Sequence, residues 1–140
     1  MRNAKCGIFS SQFQISLKEE PMKEFPEKLL ERLKQFALRV LEIADKLPNK
    51  HGARALGYQA SRSAISIPQN FAEAQAASSR RQFTTCIEIS EREARETIVS
   101  LELIQGRNYL QQDISSVISE NSEIIAILTS IGKTSKQNPS

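Results

Sequence analysis

Three glutamates are the first side chains in this 140-residue chain whose chemistry needs testing: Glu73, Glu93 and Glu96. Paired carboxylates can transfer protons or hold two metal ions inside a helical bundle. Di-metal bundles also require a Glu-x-x-His motif on two helices, and the only histidine, His51, lies in a loop-like segment without nearby ligands. We therefore predict no metal and no cofactor, and we interpret the three glutamates as structural.

Nucleophiles are the second kind of candidate. Serine and threonine are plentiful, but no predicted helix contains a histidine and no glycine-rich elbow is present, so nothing activates a hydroxyl group. We expect no catalytic residue and no enzymatic activity. Cys6 lies in an N-terminal tail and Cys86 in a helical stripe, which argues for reduced thiols. With no apolar run of roughly 20 residues and no signal-peptide pattern, the sequence predicts a cytoplasmic protein without a membrane segment.

Basic residues form the third candidate site, because the net charge of +3 is unevenly distributed. Residues 50–81 contain five basic residues and one acidic residue, a net of +4, whereas residues 82–131 contain three and eight, a net of −5. An exposed basic surface attracts the phosphates of nucleic acids. The predicted nucleic-acid-binding residues are Lys50, Arg54, Arg80 and Arg81.

Arg80 and Arg81 are the most suggestive pair, because they fall in the first turn of a predicted helix. Cations there oppose the helix dipole, whereas together with the backbone donors of that turn they would suit a phosphate. Alternatively, the two side chains are solvated or pair with acidic residues of a neighbouring subunit. Aromatic residues make up only 6% of the chain and tryptophan is absent, which leaves backbone electrostatics as the predicted mode of binding.

The element that must position much of this chemistry is a helix with an apolar stripe at spacings of three and four. The stripe consists of Leu56, Ala60, Ala64, Ile67, Phe71 and Ala74. Pro68 interrupts it, and a proline inside a helix removes one hydrogen bond and bends the helix. We predict one helix kinked at Pro68 that ends near Ala77, with Ser63 and Ser66 donating to carbonyls that the kink exposes.

Two further helices flank this one. The first is predicted to begin near Pro26, which is tolerated in a first turn, and to end at Pro48. Ser79 followed by Gln82 is a capping-box pattern that starts another helix, which Gly106 closes. Small and polar residues near the middle of this helix, at positions 91–96, predict an internal polar network.

A last helix is predicted to start around Gln112 or Asp113 and to stop at Gly132 and Lys133. Four amphipathic helices with short connections predict an all-α fold, an antiparallel up-and-down four-helix bundle. The predicted organisation is an N-terminal tail over residues 1–24, either unstructured or a short strand, the bundle over residues 25–132, and a disordered tail over residues 133–140.

Several strings in this chain carry a resemblance to a known family. They are Arg62-Ser63-Ala64, Ser66-Ile67-Pro68-Gln69-Asn70, Ala72-Glu73-Ala74, and Glu93-Ala94-Arg95-Glu96-Thr97 followed by Leu101-Glu102-Leu103. Over roughly residues 25–132 the chain resembles the four-helix-bundle family of proteins encoded in intervening sequences of bacterial large-subunit ribosomal RNA genes, the S23-like proteins. That family is similar in turn to the accessory variability determinant of diversity-generating retroelements.

The resemblance implies a fold, an assembly and a set of partners. The retroelement relative forms a pentameric barrel of bundles and binds nucleic acid and its reverse transcriptase. By resemblance we expect a homo-oligomer, a pentamer, with RNA or DNA and a reverse transcriptase or another protein as partners. Val99 departs from the pattern, because many relatives have an aromatic residue there.

One arginine lies inside the strings that carry the resemblance. Arg62 is interpreted as forming a partly buried ion pair with Glu93 or Glu96. With Glu73 these residues make up a predicted structural network.

Two functional hypotheses remain open at this point. The chain is either a non-catalytic, homo-oligomeric accessory protein that binds nucleic acid, or a protein-interaction or structural module that does not. The first helix has two apolar flanks and the last helix has adjacent apolar pairs, so a lone bundle would expose apolar surface and a symmetric assembly would cover it. Exposure of Arg54, Arg80 and Arg81 on one side would favour the first hypothesis.

Overall fold

The computed structural model describes residues 20–137, and it describes side chains from residue 24 onward. This part of the chain forms four helices and no strand. The helices are α1 (Glu20–Asp45), α2 (His51–Gln75), α3 (Arg80–Gly106) and α4 (Ser115–Gln137). The predicted all-α fold is confirmed.

Contacts between neighbouring helices establish their directions. The end of α1 lies beside the start of α4, where Arg39 Nη2 donates to Ser116 Oγ at 3.0 Å. The start of α3 lies beside the end of α4, where the Thr84 and Ser135 hydroxyls share a hydrogen bond. Each helix therefore runs opposite to the next, which confirms the antiparallel up-and-down bundle. The start of α1, the end of α2, the start of α3 and the end of α4 all lie at one end.

The core is built from the predicted stripes. On α2 the residues Ala60, Ala64, Ile67, Phe71 and Ala74 are each at most 1% exposed, and Leu56 packs at the margin. Burying a large apolar side chain contributes about 1.5 to 3 kcal/mol. The largest apolar partners that the other three helices bring to this core are Leu33, Phe36, Val40, Ile87, Leu101, Ile104, Ile124 and Leu128.

Pro68 lies inside α2, which continues to Gln75. The proline has no N–H, so the carbonyl of Ala64 lacks its helical donor. Ser63 and Ser66 each donate to a carbonyl four residues earlier, at 2.9 Å and 3.1 Å, rather than to this one. The two hydroxyls therefore do not compensate the proline in the predicted way, and the kink itself stays a prediction.

The first helix begins six residues earlier than predicted, at Glu20 rather than Pro26. Proline fixes a φ angle close to the helical value, so the ring at Pro26 can lie inside a helix at the cost of one hydrogen bond. Residues 20–24 are thus helical rather than part of a tail. The rest of the predicted tail, residues 1–19, lies outside the described residues.

The last helix runs past its predicted stop and ends at Gln137. Gly132 is buried, and a Cβ placed on it would lie 3.8 Å from Ile87 Cγ2, so this glycine brings α4 close to α3 instead of ending the helix. Ser135 is buried one turn later. The prediction of disorder from residue 133 is therefore wrong for residues 133–137, and residues 138–140 lie outside the described residues.

The caps of α3 and α4 differ in detail from their predicted form. Ser79 Oγ accepts from Gln82 N at 3.1 Å, as a capping serine should, but the Gln82 amide oxygen accepts from Ser78 N rather than from Ser79. Asp113 Oδ1 accepts from Ser115 N at 3.0 Å and from its hydroxyl, which lowers the pKa of Asp113. This aspartate caps α4 from outside, so the helix begins at Ser115 and not at Gln112 or Asp113.

An ion-pair cluster joins α1 to α4. Arg32 Nε lies 2.6 Å from Glu120 Oε2, and Arg32 Nη2 lies 2.7 Å from Glu123 Oε1. The hydrogen bond from Arg32 holds the pKa of Glu120 below its ordinary value. The cluster thus ties the first helix to the last across the bundle.

We expect the Arg32→Ala variant to lose about 0.5 to 1 kcal/mol of unfolding free energy at pH 7, after allowance for solvent screening. Because the folded-state pKa of Glu120 is lowered, the ion pair contributes fully above the ordinary value of 4.5 and is lost as pH falls through the lowered pKa. Urea unfolding at several pH values measures the difference. Arg95→Ala, which breaks an exposed pair within one helix, should cost less; equal costs would contradict a tie between helices.

None of the described helices is long and apolar enough to cross a membrane.

Candidate nucleic-acid interface

The four predicted binding cations lie at opposite ends of the bundle. Lys50 and Arg54 are at the start of α2, whereas Arg80 and Arg81 are at the start of α3, beside the end of α2. The 25 residues of α2 span about 37 Å at a rise of 1.5 Å per residue. The cations therefore do not form a single patch. The charge count over residues 50–81 had combined residues that lie at the two ends of α2.

The pair at the start of α2 has a local structural role. Lys50 is the N-cap residue, with an extended backbone and no capping hydrogen bond from its side chain. Arg54 Nη1 donates to Asn49 Oδ1 at 2.6 Å and so holds the turn between α1 and α2. Both cations are exposed, but this contact engages Arg54 with its own turn.

The start of α3 forms a concave surface with the last turns of α4, which we call the α3–α4 pocket. Its volume is about 460 Å³, and it is open to solvent. The residues that line it are Arg80, Arg81, Thr84, Thr85, Glu88, Ser135 and Lys136. Three cations, three hydroxyls and one carboxylate therefore face one cavity.

Lys136 is the cation of this pocket that sequence reasoning missed. It forms an ion pair with Glu88 across the two helices, which raises the pKa of Lys136. Because residues 133–140 were predicted to be a disordered tail, Lys136 was not considered as a binding residue. A signal was present, since the buried stripe of α4 continues from Leu128 at helical spacing through the small residues Gly132 and Ser135.

The Arg62 cluster lies elsewhere, on the exposed side of α2 and α3. Arg62 Nη2 lies 3.1 Å from Glu96 Oε1, and Arg62 Nη1 lies 3.6 Å from Glu93 Oε1. Arg62 thus contacts both of the carboxylates that were predicted as alternative partners. Glu73, by contrast, is exposed about 16 Å farther along α2, near Cys86 of α3, so it is separate from this cluster.

A line of buried polar contacts connects α2, α3 and α4. The contacts are Ser63 Oγ to Thr97 Oγ1 (2.7 Å), Ser90 Oγ to the Ile67 carbonyl (2.9 Å) and Asn121 Nδ2 to the Ala94 carbonyl (2.9 Å). The network expected at residues 91–96 of α3 therefore uses Ser90 and Thr97, which flank this range, and two backbone carbonyls within it, those of Glu93 and Ala94. Such contacts favour one register of the helices, because any slip would leave a buried polar group unpaired.

The environment of Glu93 is unfavourable for an ionised carboxylate. Its side chain is 15% exposed, Oε1 makes no hydrogen bond, and burial, reinforced by the charge of Glu96, raises the pKa of Glu93. The ionised form is therefore disfavoured in the folded state, even beside Arg62.

We expect the Glu93→Gln variant to gain up to about 1 kcal/mol of unfolding free energy at pH 7. Because the folded-state pKa is raised, the ionised side chain destabilises the fold above that pKa, and the gain disappears as pH falls below the ordinary value of 4.5. Thermal unfolding at pH 7 and pH 4 measures it. Glu27→Gln on the exposed side of α1 is the control, and a loss of stability for Glu93→Gln would show that the Arg62 pair dominates.

Residues 20–137 contain no group of three or more His, Cys, Asp or Glu side chains arranged to hold an ion.

Fold and surface together define a small antiparallel four-helix bundle with a cationic pocket at one end. The chain belongs to the 23S rRNA-intervening sequence protein family, whose model matches residues 28–130. It is similar to a solved protein of unknown function from the S23 ribosomal protein family of Bacteroides thetaiotaomicron VPI-5482, with 30% identity and a TM-score of 0.70 over 77% of this chain and 97% of that one. No curated protein matches it. The family predicted from the residue strings is confirmed.

Proposed function

We propose that this chain is a non-catalytic, homo-oligomeric accessory protein that binds the backbone of RNA or DNA through the α3–α4 pocket. The observation that supports this most directly is the meeting of Arg80, Arg81 and Lys136 around one cavity. The backbone N–H groups of the first turn of α3 lie at the same place, and helix starts favour phosphate. Threonine and serine hydroxyls around the rim supply further donors.

The residues of the pocket favour contact with phosphate rather than with bases. None of them is aromatic, so the pocket offers no aromatic ring on which a base could stack. Arginine can hold a phosphate with two parallel hydrogen bonds, and lysine adds a point charge. We therefore expect binding that depends strongly on salt and weakly on sequence. The family takes its name from a sequence within 23S rRNA, so RNA is the first probe to use.

Assembly would multiply this attraction, because each copy adds one pocket and linked sites bind by avidity. Exposed apolar side chains on α1, α2 and α3 support an assembly that would cover them. A pentamer, and a reverse transcriptase or another protein as partner, are what the resemblance to the retroelement accessory determinant adds to the proposal. The same apolar surface supports the alternative function, a protein-interaction module that binds no nucleic acid.

We expect an Arg81→Ala, Lys136→Ala double variant to bind RNA at least about tenfold more weakly than the wild type at low salt. Each phosphate contact that is lost should reduce the slope of log affinity against log salt by about 1. Fluorescence anisotropy between about 50 and 200 mM salt, on single-stranded and duplex RNA and DNA, measures both quantities. Arg80 stays unchanged, because it is half-buried and substitution could disturb the start of α3.

The matched control is the Lys50→Ala, Arg54→Ala double variant, which removes the same charge at the opposite end of the bundle. It should bind nearly as well as the wild type. Equal losses in the two variants would indicate general attraction to a basic protein rather than a pocket. If the assembled wild type does not bind at low salt, the nucleic-acid proposal fails and the interaction module takes its place.

A further inference from the structure

Most of the exposed large hydrophobic side chains of the described residues lie on one side of the bundle. The full set is Phe25, Leu38, Tyr58, Ile65, Val99 and Leu103, each between 37% and 66% exposed. Phe25 lies near the start of α1, the other five lie around the outer face of α2, and α4 contributes none. A surface of this kind on one side of a small protein marks an interaction site.

The part of this surface between α1 and α2 is concave, and we call it the α1–α2 groove. It has a volume of about 520 Å³ and is lined mostly by carbon atoms. The residues that line it are Leu30, Lys34, Ala37, Leu38, Ile65, Pro68, Gln69 and Ala72. Lys34 is the one charged residue among them, and it makes no ion pair within the described residues.

Exposed apolar side chains also follow α3 beside α2, and we call Val99 and Leu103 the α2–α3 ridge. Their placement follows from the contact of Arg62 with Glu96, because they lie one and two turns after Glu96. The exposed Tyr58 lies two turns before a residue of the groove, on the same face of α2, and so belongs to the groove side.

An acidic residue stands beside this ridge. Glu102 is exposed next to Leu103, and within the described residues it makes no ion pair. One chain therefore carries an apolar groove with an unpaired cation and an apolar ridge with an unpaired anion. Opposite charges at the margins of two surfaces set orientation and accelerate association.

We propose that the α1–α2 groove of one copy receives the α2–α3 ridge of a second copy, with Lys34 of the first beside Glu102 of the second. The inference rests on the homo-oligomer of the proposed function and assigns its surfaces. The two surfaces differ in shape and charge, so the contact joins two different patches. After one such contact, the first copy still has a free ridge and the second copy still has a free groove. Such contacts build a ring where the rotation closes.

This contact leaves the α3–α4 pocket accessible in each copy. The groove and the ridge occupy the side of the bundle around α2, whereas Ser135 and Lys136 of the pocket lie on α4. α4 exposes polar residues to solvent, among them Ser119, Ser122 and Ser130. The assembly would thus repeat the pocket on its surface without covering it.

Two variants test the contact by complementation. Leu38→Arg removes the groove and leaves the ridge, whereas Leu103→Arg removes the ridge and leaves the groove. Multi-angle light scattering should show that each variant alone is monomeric. An equimolar mixture should form a 1:1 dimer that grows no further, since it contains one intact groove and one intact ridge.

Each other outcome overturns the proposal. If either variant keeps the wild-type mass, its surface is not part of the interface, and if the mixture stays monomeric, groove and ridge do not meet. Both side chains are 55% or 53% exposed, so thermal unfolding should resemble that of a monomeric bundle and exclude misfolding. Larger mixed assemblies would indicate that another segment or partner surface makes the contact.

A charge exchange gives an independent readout. Lys34→Glu and Glu102→Lys should each weaken assembly by roughly two- to fivefold at low salt, and the double variant should recover it. Additive losses in the double variant would show that the two residues do not meet.

Failure of this inference can be told from failure of the proposed function. If the wild type is monomeric, the proposed homo-oligomer is wrong. If the wild type is an oligomer whose mass is unchanged by Leu38→Arg and Leu103→Arg, only the assignment of the two surfaces is wrong. RNA binding by the monomeric variants tests the pocket in either case, because their pocket residues are unchanged.

Discussion

The Asn121→Asp variant is expected to lose about 3 to 5 kcal/mol of unfolding free energy at pH 7. Asn121 is fully buried, and its Nδ2 donates to the Ala94 carbonyl oxygen at 2.9 Å. An ionised aspartate would place an acceptor against this carbonyl and bury an unpaired charge. A protein of this size has about 5 to 15 kcal/mol of stability in total, so a large fraction of molecules could unfold.

The same variant should recover stability in acid. The folded state favours the neutral carboxyl, which can donate to the Ala94 carbonyl, so the folded-state pKa of the new aspartate lies above the unfolded value of about 3.9. The deficit is therefore complete above the folded pKa and shrinks as pH falls toward the unfolded one. Urea unfolding of variant and wild type at matched pH values from 7 to 4 isolates this effect from other titrating groups.

The control applies the same chemical change at an exposed site. Asn108 has a φ angle of 54°, which aspartate also tolerates, and its side chain is exposed after the end of α3. Asn108→Asp should change the unfolding free energy by less than about 0.5 kcal/mol at each pH. A pH-independent loss in Asn121→Asp, or an equal loss in both variants, would contradict a buried hydrogen bond at Asn121.

The Phe71→Ala variant is expected to cost about 3 to 5 kcal/mol. Phe71 is 1% exposed in the core and lies on the last turns of α2, beyond Pro68. Truncation removes its contacts and leaves a cavity, since neighbouring helices relax only in part. The midpoint of urea unfolding should fall while the dependence on urea stays constant.

Phe25 offers the matched comparison, because it is 44% exposed near the start of α1. Phe25→Ala should cost less than about 1 kcal/mol. If Phe71→Ala cost as little, the end of α2 would not be packed against the core, and the continuation of the helix past the proline would be in doubt.

Helices with a strong apolar period were predictable from the sequence, and the reason is physical. The stripe on α2 that contains Ala60, Ile67 and Phe71 must face the core, and one proline does not outweigh its burial. Ser79 could be predicted as a cap because its hydroxyl accepts a backbone N–H of the turn that follows it. These are local signals, which do not depend on how the helices are arranged.

Helix ends with mixed signals were less predictable. Glycine ends many helices, but Gly132 lies against Ile87 inside α4. That contact depends on a residue 45 positions away in the sequence. Pro26 is typical of a first turn, yet α1 already extends back to Glu20. A glycine or a proline can serve two purposes, and only packing decides between them.

The candidate site was predictable only in its chemistry. Arg80 and Arg81 stood out because cations are unusual at a helix start, but their partner Lys136 comes from the far end of the chain. Lys50 and Arg54 looked equivalent to them because a local charge count has no information on which end of the bundle a residue occupies. Antiparallel packing places Lys50 and Arg54 at one end of the bundle. It places Lys136 beside Arg80 and Arg81 at the other end.

The up-and-down topology also decides where this protein can be labelled. Because α4 ends beside the pocket, a polyhistidine tag fused directly after Gln137 would begin near Lys136 and could add its own affinity for RNA. A fluorophore attached in the turn at residues 107–113 would report from the opposite end, about 37 Å away. Tag-free protein labelled in that turn is therefore the appropriate material for the binding measurements.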